Sequence, residues 1–290
     1  MNITGIIRDA LKYPLQDWKK ILLLGIILLI SSTLVDLAIF VQNNIIMGII
    51  TIVGLLLVLF VYGYSLKIIN SSLAGNTELP DMNNWINMFI SGVKVLIVGI
   101  VYFIPIILVV VFTAILSPQT ITSIFIGLGL NPLAITGSFL EAILIQGLGN
   151  LVPLLFNVTN TTITGTITLL YMIIITPVLM IAIANMGNNN QMKSAFKIRI
   201  LLEKMGSIGW NHLIEWYIIT VILYLIIFAA VNVLYFAVGP LMILILVPYY
   251  YIYQSRSIAL IYQINKESKA LDTATHEHKS NIKMAKNSGK

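Results

Sequence analysis

Residues 133–156 read LAITGSFLEAILIQGLGNLVPLLF, and whether they cross a membrane decides the fold. The stretch is apolar but broken by Gly137, Glu141, Gln146, Gly147, Gly149, Asn150 and Pro153. Six cleaner apolar runs stand around it, at roughly 21–41, 45–66, 93–116, 165–186, 217–238 and 240–262, each near the ~20 residues that a spanning helix needs. With six crossings the two chain ends share a side. With seven they do not.

Charge chooses between the two. Arg8, Lys12, Lys19 and Lys20 precede the first run, and Lys67 and Lys94 flank the second loop. Lys193, Lys197, Arg199 and Lys204 follow the fourth run, Arg256 is near the end of the last, and the remaining lysines are in the tail. Six spans with the N-terminus inside put all 17 Lys and Arg residues on the cytoplasmic side. A seventh crossing would export the 193–204 cluster and the tail, against the positive-inside rule. The segment 117–164 is therefore expected on the outer face, either lying on the leaflet or dipping into it as a re-entrant element. Tryptophan agrees. Trp18, Trp85, Trp210 and Trp216 each precede an odd-numbered run, at the cytoplasmic interface where an indole anchors.

Composition fits lipid as the solvent. Of 290 residues 58% are hydrophobic and 10% are charged, against ~25% charged in a soluble domain. The net charge of +6 resides in loops and tail, which suits an anionic leaflet better than nucleic acid. Cysteine is absent, which excludes disulfides and thiolate chemistry. The run from Ile21 to Val41 is too long for a signal-peptide core of ~7–15 residues, so it reads as the first span. The fold class expected is all-α: a polytopic membrane protein with about six transmembrane helices in three hairpins, over 1–265, and a polar, disordered cytoplasmic tail over 266–290.

Each hairpin is preceded by a segment that reads as interfacial. Ile3, Ile6, Ile7, Ala10 and Leu11 recur at helical spacing before Pro14. Leu79-Pro80-Asp81 resembles a helix start before Trp85, Phe89 and Val93. Ser194 is expected to cap a helix through Met205. No residue-by-residue repeat accompanies this rhythm.

The sequence resembles a family of uncharacterised, mostly archaeal multi-pass membrane proteins, domain of unknown function 4013. The resemblance rests on Tyr13-Pro14, Asp17-Trp18, Gly63-Tyr64, Leu73-Ala74-Gly75, Leu79-Pro80, Trp85, Gly92, Lys94 and Pro105. Pro177, Ala195-Phe196, Pro248 and the run Tyr249–Tyr253 are weaker echoes, and the likeness covers about residues 5–265. It implies a membrane protein and carries no substrate or activity.

Few residues stand out chemically. Asp36 lies about 27 Å along the helix from Trp18 at 1.5 Å per residue, which puts it at the outer interface rather than mid-membrane. Glu141 is the one formal charge between Lys94 and Lys193. On a surface-lying helix it faces water; on a re-entrant element it faces a cavity. Pro105, Pro177 and Pro248 read as static kinks. Arg256 is expected to snorkel to the cytoplasmic interface, with the nearby tyrosines as interfacial anchors. Asn157-Val-Thr159 and Asn160-Thr-Thr162 are glycosylation sequons on the outer face, whereas Asn2 and Asn70 match but face inward. His276-Glu277-His278 reads as solvated tail, short of a metal set. There is no Walker A loop, G-x-S-x-G elbow or H-E-x-x-H.

The resulting expectation is a non-enzymatic component of the cell membrane, without cofactor or metal, whose partners are membrane lipid and other membrane proteins. The alternative is a permease for a small or lipidic solute, with Asp36 and Glu141 as its cavity residues.

Overall fold

A computed structural model describes residues 2–38, 41, 43–116, 163–233 and 241–264. Among them every regular element is a helix. The elements are α1 (Ile3–Lys12), a 3-10 turn (Tyr13–Gln16), α2 (Trp18–Ala38), α3 (Asn44–Leu73), α4 (Trp85–Leu116), α5 (Ile163–Asn189), a second 3-10 turn (Met192–Phe196), α6 (Ile198–Ile208), α7 (Trp210–Val233) and α8 (241–264). Among the described residues, four stretches are long and apolar enough to cross a membrane: Ile45–Leu73, Trp85–Leu108, Leu170–Asn189 and Trp210–Ala230. The segment 117–164 expected on the outer face lies outside the described residues as far as 162, with Glu141 and the sequons at Asn157 and Asn160, as does the tail with its histidines. Asp36 stands in the last turn of α2, and its side chain also lies outside them.

Local chemistry starts the helices. The Asn2 side chain accepts from the Gly5 amide at 2.9 Å to cap α1, and Asn43 accepts from Ile45 and Ile46 at 3.0 and 3.2 Å to cap α3. Asp17 accepts from the amides of Lys19 and Lys20 at 3.0 and 3.4 Å, opening α2. Two helices run past the span edges expected from charge. α3 continues beyond Lys67 to Leu73, and α4 starts nine residues before Lys94. A lysine on a long stem can reach water without ending the backbone ladder.

The first and third interfacial segments are helices. α1 buries Ile3, Ile6 and Ala10, and α6 buries Leu201, Met205 and Ile208. The second is a correction: residues 79–84 are not helical, and α4 begins at Trp85. Pro80 holds Leu79 away from the helical region, and the carbonyls that follow are taken by side-chain donors. Ser194 is also corrected. It lies in the 3-10 turn, and its hydroxyl donates to the carbonyls of Gln191 and Asn185 at 2.6 and 3.1 Å. α6 has no side-chain cap.

α3 packs along both α2 and α4. Ser31 on α2 donates to the Gly54 carbonyl on α3 at 2.9 Å. Against α4 the backbones nearly touch. A Cβ on Gly63 would stand 1.7 Å from the Met88 carbonyl oxygen, and one on Gly92 would stand 1.9 Å from that of Leu59. These contacts lie one helical turn apart on both helices, as an antiparallel crossing requires, and only a residue without Cβ fits there. The outward faces stay apolar: Ile45, Ile49 and Ile52 on α3, Ile86, Ile90 and Ile97 on α4, and Ile214, Ile218 and Ile222 on α7 are exposed. Large contiguous apolar surface of this kind belongs against lipid.

α8 is the surprise. It is buried along 250–259, including Gln254, Ser255, Arg256 and Ser257. Tyr250, Tyr251 and Tyr253 are buried too, so they pack inside the protein rather than anchoring it at an interface. Tyr250 and Tyr253 join Tyr224 of α7 and Ala10 of α1 in one cluster.

Candidate functional site

Residues 76–81 lie in the connection from α3 to α4 and belong to neither helix nor strand, so their carbonyls need other donors. Each of six consecutive carbonyls finds one. Asn76 accepts from Arg256 Nη1 at 2.7 Å, Thr77 from Gln16 Nε2 at 2.9 Å, and Glu78 from the Tyr13 hydroxyl at 2.8 Å. Leu79 accepts from Lys20 Nζ at 2.9 Å, Pro80 from the Tyr64 hydroxyl at 2.9 Å, and Asp81 from Lys67 Nζ at 2.7 Å. The donors come from the first 3-10 turn, α2, α3 and α8. Gln263 of α8 adds a bond to the Leu73 carbonyl at 2.7 Å. Each bond contributes on the order of 1 kcal/mol net, and more where the donor is charged.

Arg256 is the centre of this strap and a correction to its expected interfacial role. It is 5% exposed. Its Nε donates to Asp9 Oδ2 at 2.9 Å, and its guanidinium carbon lies 4.6 Å from the centre of the Tyr13 ring. The arginine does not snorkel, because a carboxylate from α1, a strap carbonyl and an aromatic face already solvate it. Lys20 bridges Asp17 at 3.4 Å and Asp81 at 3.1 Å. Burial pushes the Tyr13 phenol above its ordinary pKa, against the opposing pull of Ser72 and Arg256. For Asp17, burial alone would raise the carboxyl. Hydrogen bonds from Lys20 and its charge outweigh that and hold it below the usual carboxylate value.

A second polar knot ties α5, the 192–196 turn and α8. Asn185 Nδ2 donates to the Ser194 carbonyl at 2.8 Å, and Tyr262 donates to Asn185 Oδ1 at 2.8 Å. The Tyr102 hydroxyl donates to the Ala195 carbonyl at 2.6 Å. Both connections, α1 and the end of α8 thus gather at one end of the helices. Between α3, α4, α5 and α8, a cavity of about 40 Å³ is lined by Tyr62, Ser65, Tyr251, Gln254, Ser255 and apolar side chains. That is room for a few waters. Among the described residues no three His, Asp or Glu side chains come together as a metal site.

Of the four indoles, Trp18, Trp85 and Trp210 are about half exposed at the starts of α2, α4 and α7. Trp216 departs from the anchor role. It is fully buried, and its N–H donates to the Ser257 hydroxyl. One and a half turns inside α7, it meets α8 instead of lipid. Four polar residues in a row, Gln254 to Ser257, were the signal that α8 has polar neighbours. Nothing in the sequence paired Arg256 with Asp9 across 247 residues.

Apolar helices of this length, capped by a polar end and without a convergent set of reactive groups among the described residues, define a helical integral membrane protein. The chain belongs to the family described as "Protein of unknown function (DUF4013)", whose model matches residues 46–247. The match starts after Tyr13-Pro14 and Asp17-Trp18, so it is shorter than the resemblance read over 5–265. No curated protein and no solved structure matches.

Proposed function

We propose that this protein is a non-enzymatic scaffold of the cell membrane, with six spans in three hairpins, both termini cytoplasmic, and lipid and other membrane proteins as its partners. The strap is the observation that carries the reading. The donors of the polar end are committed to the protein's own carbonyls, which makes a rigid cap rather than a set of groups presented to a substrate. Six spans are supported by α1, the α3–α4 strap, the α5–α6 turn and the end of α8 meeting at one end. Each pair of long helices then makes a round trip. The basic residues of that end favour the cytoplasmic leaflet.

The permease alternative draws on Asp36 and Glu141, whose side chains lie outside the described residues. The two readings part in proteoliposomes and in gentle extraction. A scaffold leaves small-solute permeability unchanged and leaves the membrane with bound lipid or protein at fixed stoichiometry. Saturable solute uptake by the reconstituted chain would contradict it.

A further inference from the structure

The 192–196 turn and α6 join two of the stretches able to cross a membrane. α6 begins nine residues after Asn189 and ends two before Trp210. Gly209, at φ +93°, breaks the helical path into α7, which frees α6 from the axis of that span. At about 100° per residue its side chains fall into three arcs. Leu201, Met205 and Ile208 share the first and are buried in the core. Ile198 and Leu202 form the second, directly beside it, and are 62% and 48% exposed. Arg199, Glu203 and Ser207 form the third with Ile200, and all four are exposed. An exposed apolar arc between a docked arc and a charged one is what an in-plane helix offers to acyl chains.

Charge is the second observation. From Ile163 to Leu202 the chain has no Asp or Glu. Lys193 in the turn and Lys197 just after it are exposed, and neither makes an ion pair among the described residues. Ser194 and Ala195 between them are buried and fix the turn to the protein. Arg199 meets Glu203 at 3.1 Å with both side chains largely in water, a pairing weak enough for an anionic surface to displace. α1 is the contrast. It exposes Arg8 and Lys12, yet none of its apolar residues is exposed, so its charge has no apolar arc beside it.

We infer that the 192–196 turn and α6 form a binding surface for anionic phospholipid, with Ile198 and Leu202 among the acyl chains and Lys193, Lys197 and Arg199 at the phosphates. An acidic protein segment would match the charge but leave the apolar arc in water. The inference names the lipid of the scaffold reading and rests on α5 and α7 lying in a membrane. It does not depend on the number of spans.

The test uses the full chain. In mild detergent, native mass spectrometry follows the binding of phosphatidylglycerol and phosphatidylcholine to three proteins: the parent, the double variant Lys193→Gln/Lys197→Gln, and the charge-matched control Arg8→Gln/Lys12→Gln. The parent should prefer phosphatidylglycerol. The first double variant should lose about 25-fold in affinity for it, fivefold for each cation, and the control should lose far less. A loss no greater than the control's overturns the surface. In vesicles, Leu202→Cys and Ser207→Cys each carry a fluorophore on the only thiol. Brominated phosphatidylglycerol should quench the label at 202, and aqueous iodide the label at 207. Iodide quenching as strong at 202 as at 207 overturns the inference and leaves that flank to a partner in solution. Saturable solute uptake would refute the scaffold reading and move neither result, whereas a lost lipid preference would leave the scaffold topology standing.

Discussion

Asp9→Ala should destabilise the protein more than Arg256→Met does, although the two residues share one ion pair. The asymmetry comes from exposure. The Arg256 side chain is 6% exposed and that of Asp9 is 46% exposed. Removing Asp9 strands a buried guanidinium, a change that costs about 3–5 kcal/mol in buried pairs. Arg256 keeps the Asn76 carbonyl and the Tyr13 face, so the low end, about 3 kcal/mol, is expected. Arg256→Met keeps the stem volume and leaves a carboxylate that water can reach. Its loss is one charged hydrogen bond to the strap and the ring contact, about 2 kcal/mol. The double variant should cost at least 1 kcal/mol less than the two singles together, as coupled neighbours do. Equilibrium unfolding of the full chain in detergent micelles measures all four corners of the cycle. An Asp9→Ala protein within about 0.5 kcal/mol of the parent, or strictly additive singles, would show that Arg256 is not solvated by this pair.

Gly63→Ala and Gly92→Ala should each destabilise by about 2 kcal/mol or more, since the added methyl meets a backbone carbonyl that cannot rotate away. The control Gly48→Ala, which meets nothing within 4 Å, should be neutral in the same unfolding assay. The lowered Asp17 carboxyl makes a pH prediction. Its contribution is present above the ordinary carboxylate pKa and is lost as pH falls through the lowered folded value. Asp17→Asn can still cap α2, so its acid unfolding limb should be shallower than the parent's. In single-tryptophan variants, brominated lipids should quench Trp18, Trp85 and Trp210 strongly and buried Trp216 little. Equal quenching at all four would place Trp216 at the lipid face after all.

The helices were legible in the sequence because lipid leaves a chain few choices. Apolar runs near 20 residues must satisfy their backbone internally, so they are helices wherever they fall. The amphipathic α1 was readable from the spacing of Ile3, Ile6 and Ala10. Depth within the protein was not readable. A tyrosine run or an arginine near a helix end looks the same whether it meets lipid headgroups or a neighbouring helix. Only the fold brings Asp9, Tyr13 and Asn76 around Arg256. The strap was invisible for a related reason. Its acceptors are backbone carbonyls, which every residue carries, so no motif marks them. Leu79-Pro80 suggested a helix start because proline favours a first turn; the competing preference for an extended residue before proline prevailed. Gly63 and Gly92 stood in the quoted resemblance, but they lie on different helices and no span carries a strict G-x-x-x-G, so their partnership needed both helices at once.

The proposal that the strap, the basic turn and the tail share one side of the membrane is open to direct measurement, because the native chain has no cysteine to interfere. Thr77→Cys, Lys193→Cys and Lys269→Cys, made singly, can be probed with a membrane-impermeant maleimide in right-side-out and inverted vesicles. All three should react only in inverted vesicles, while Glu141→Cys reacts only in right-side-out ones. Reaction of Lys193→Cys or Lys269→Cys from the outside, with Thr77→Cys reacting from the inside, would mean an odd number of crossings between them and contradict the six-span scaffold.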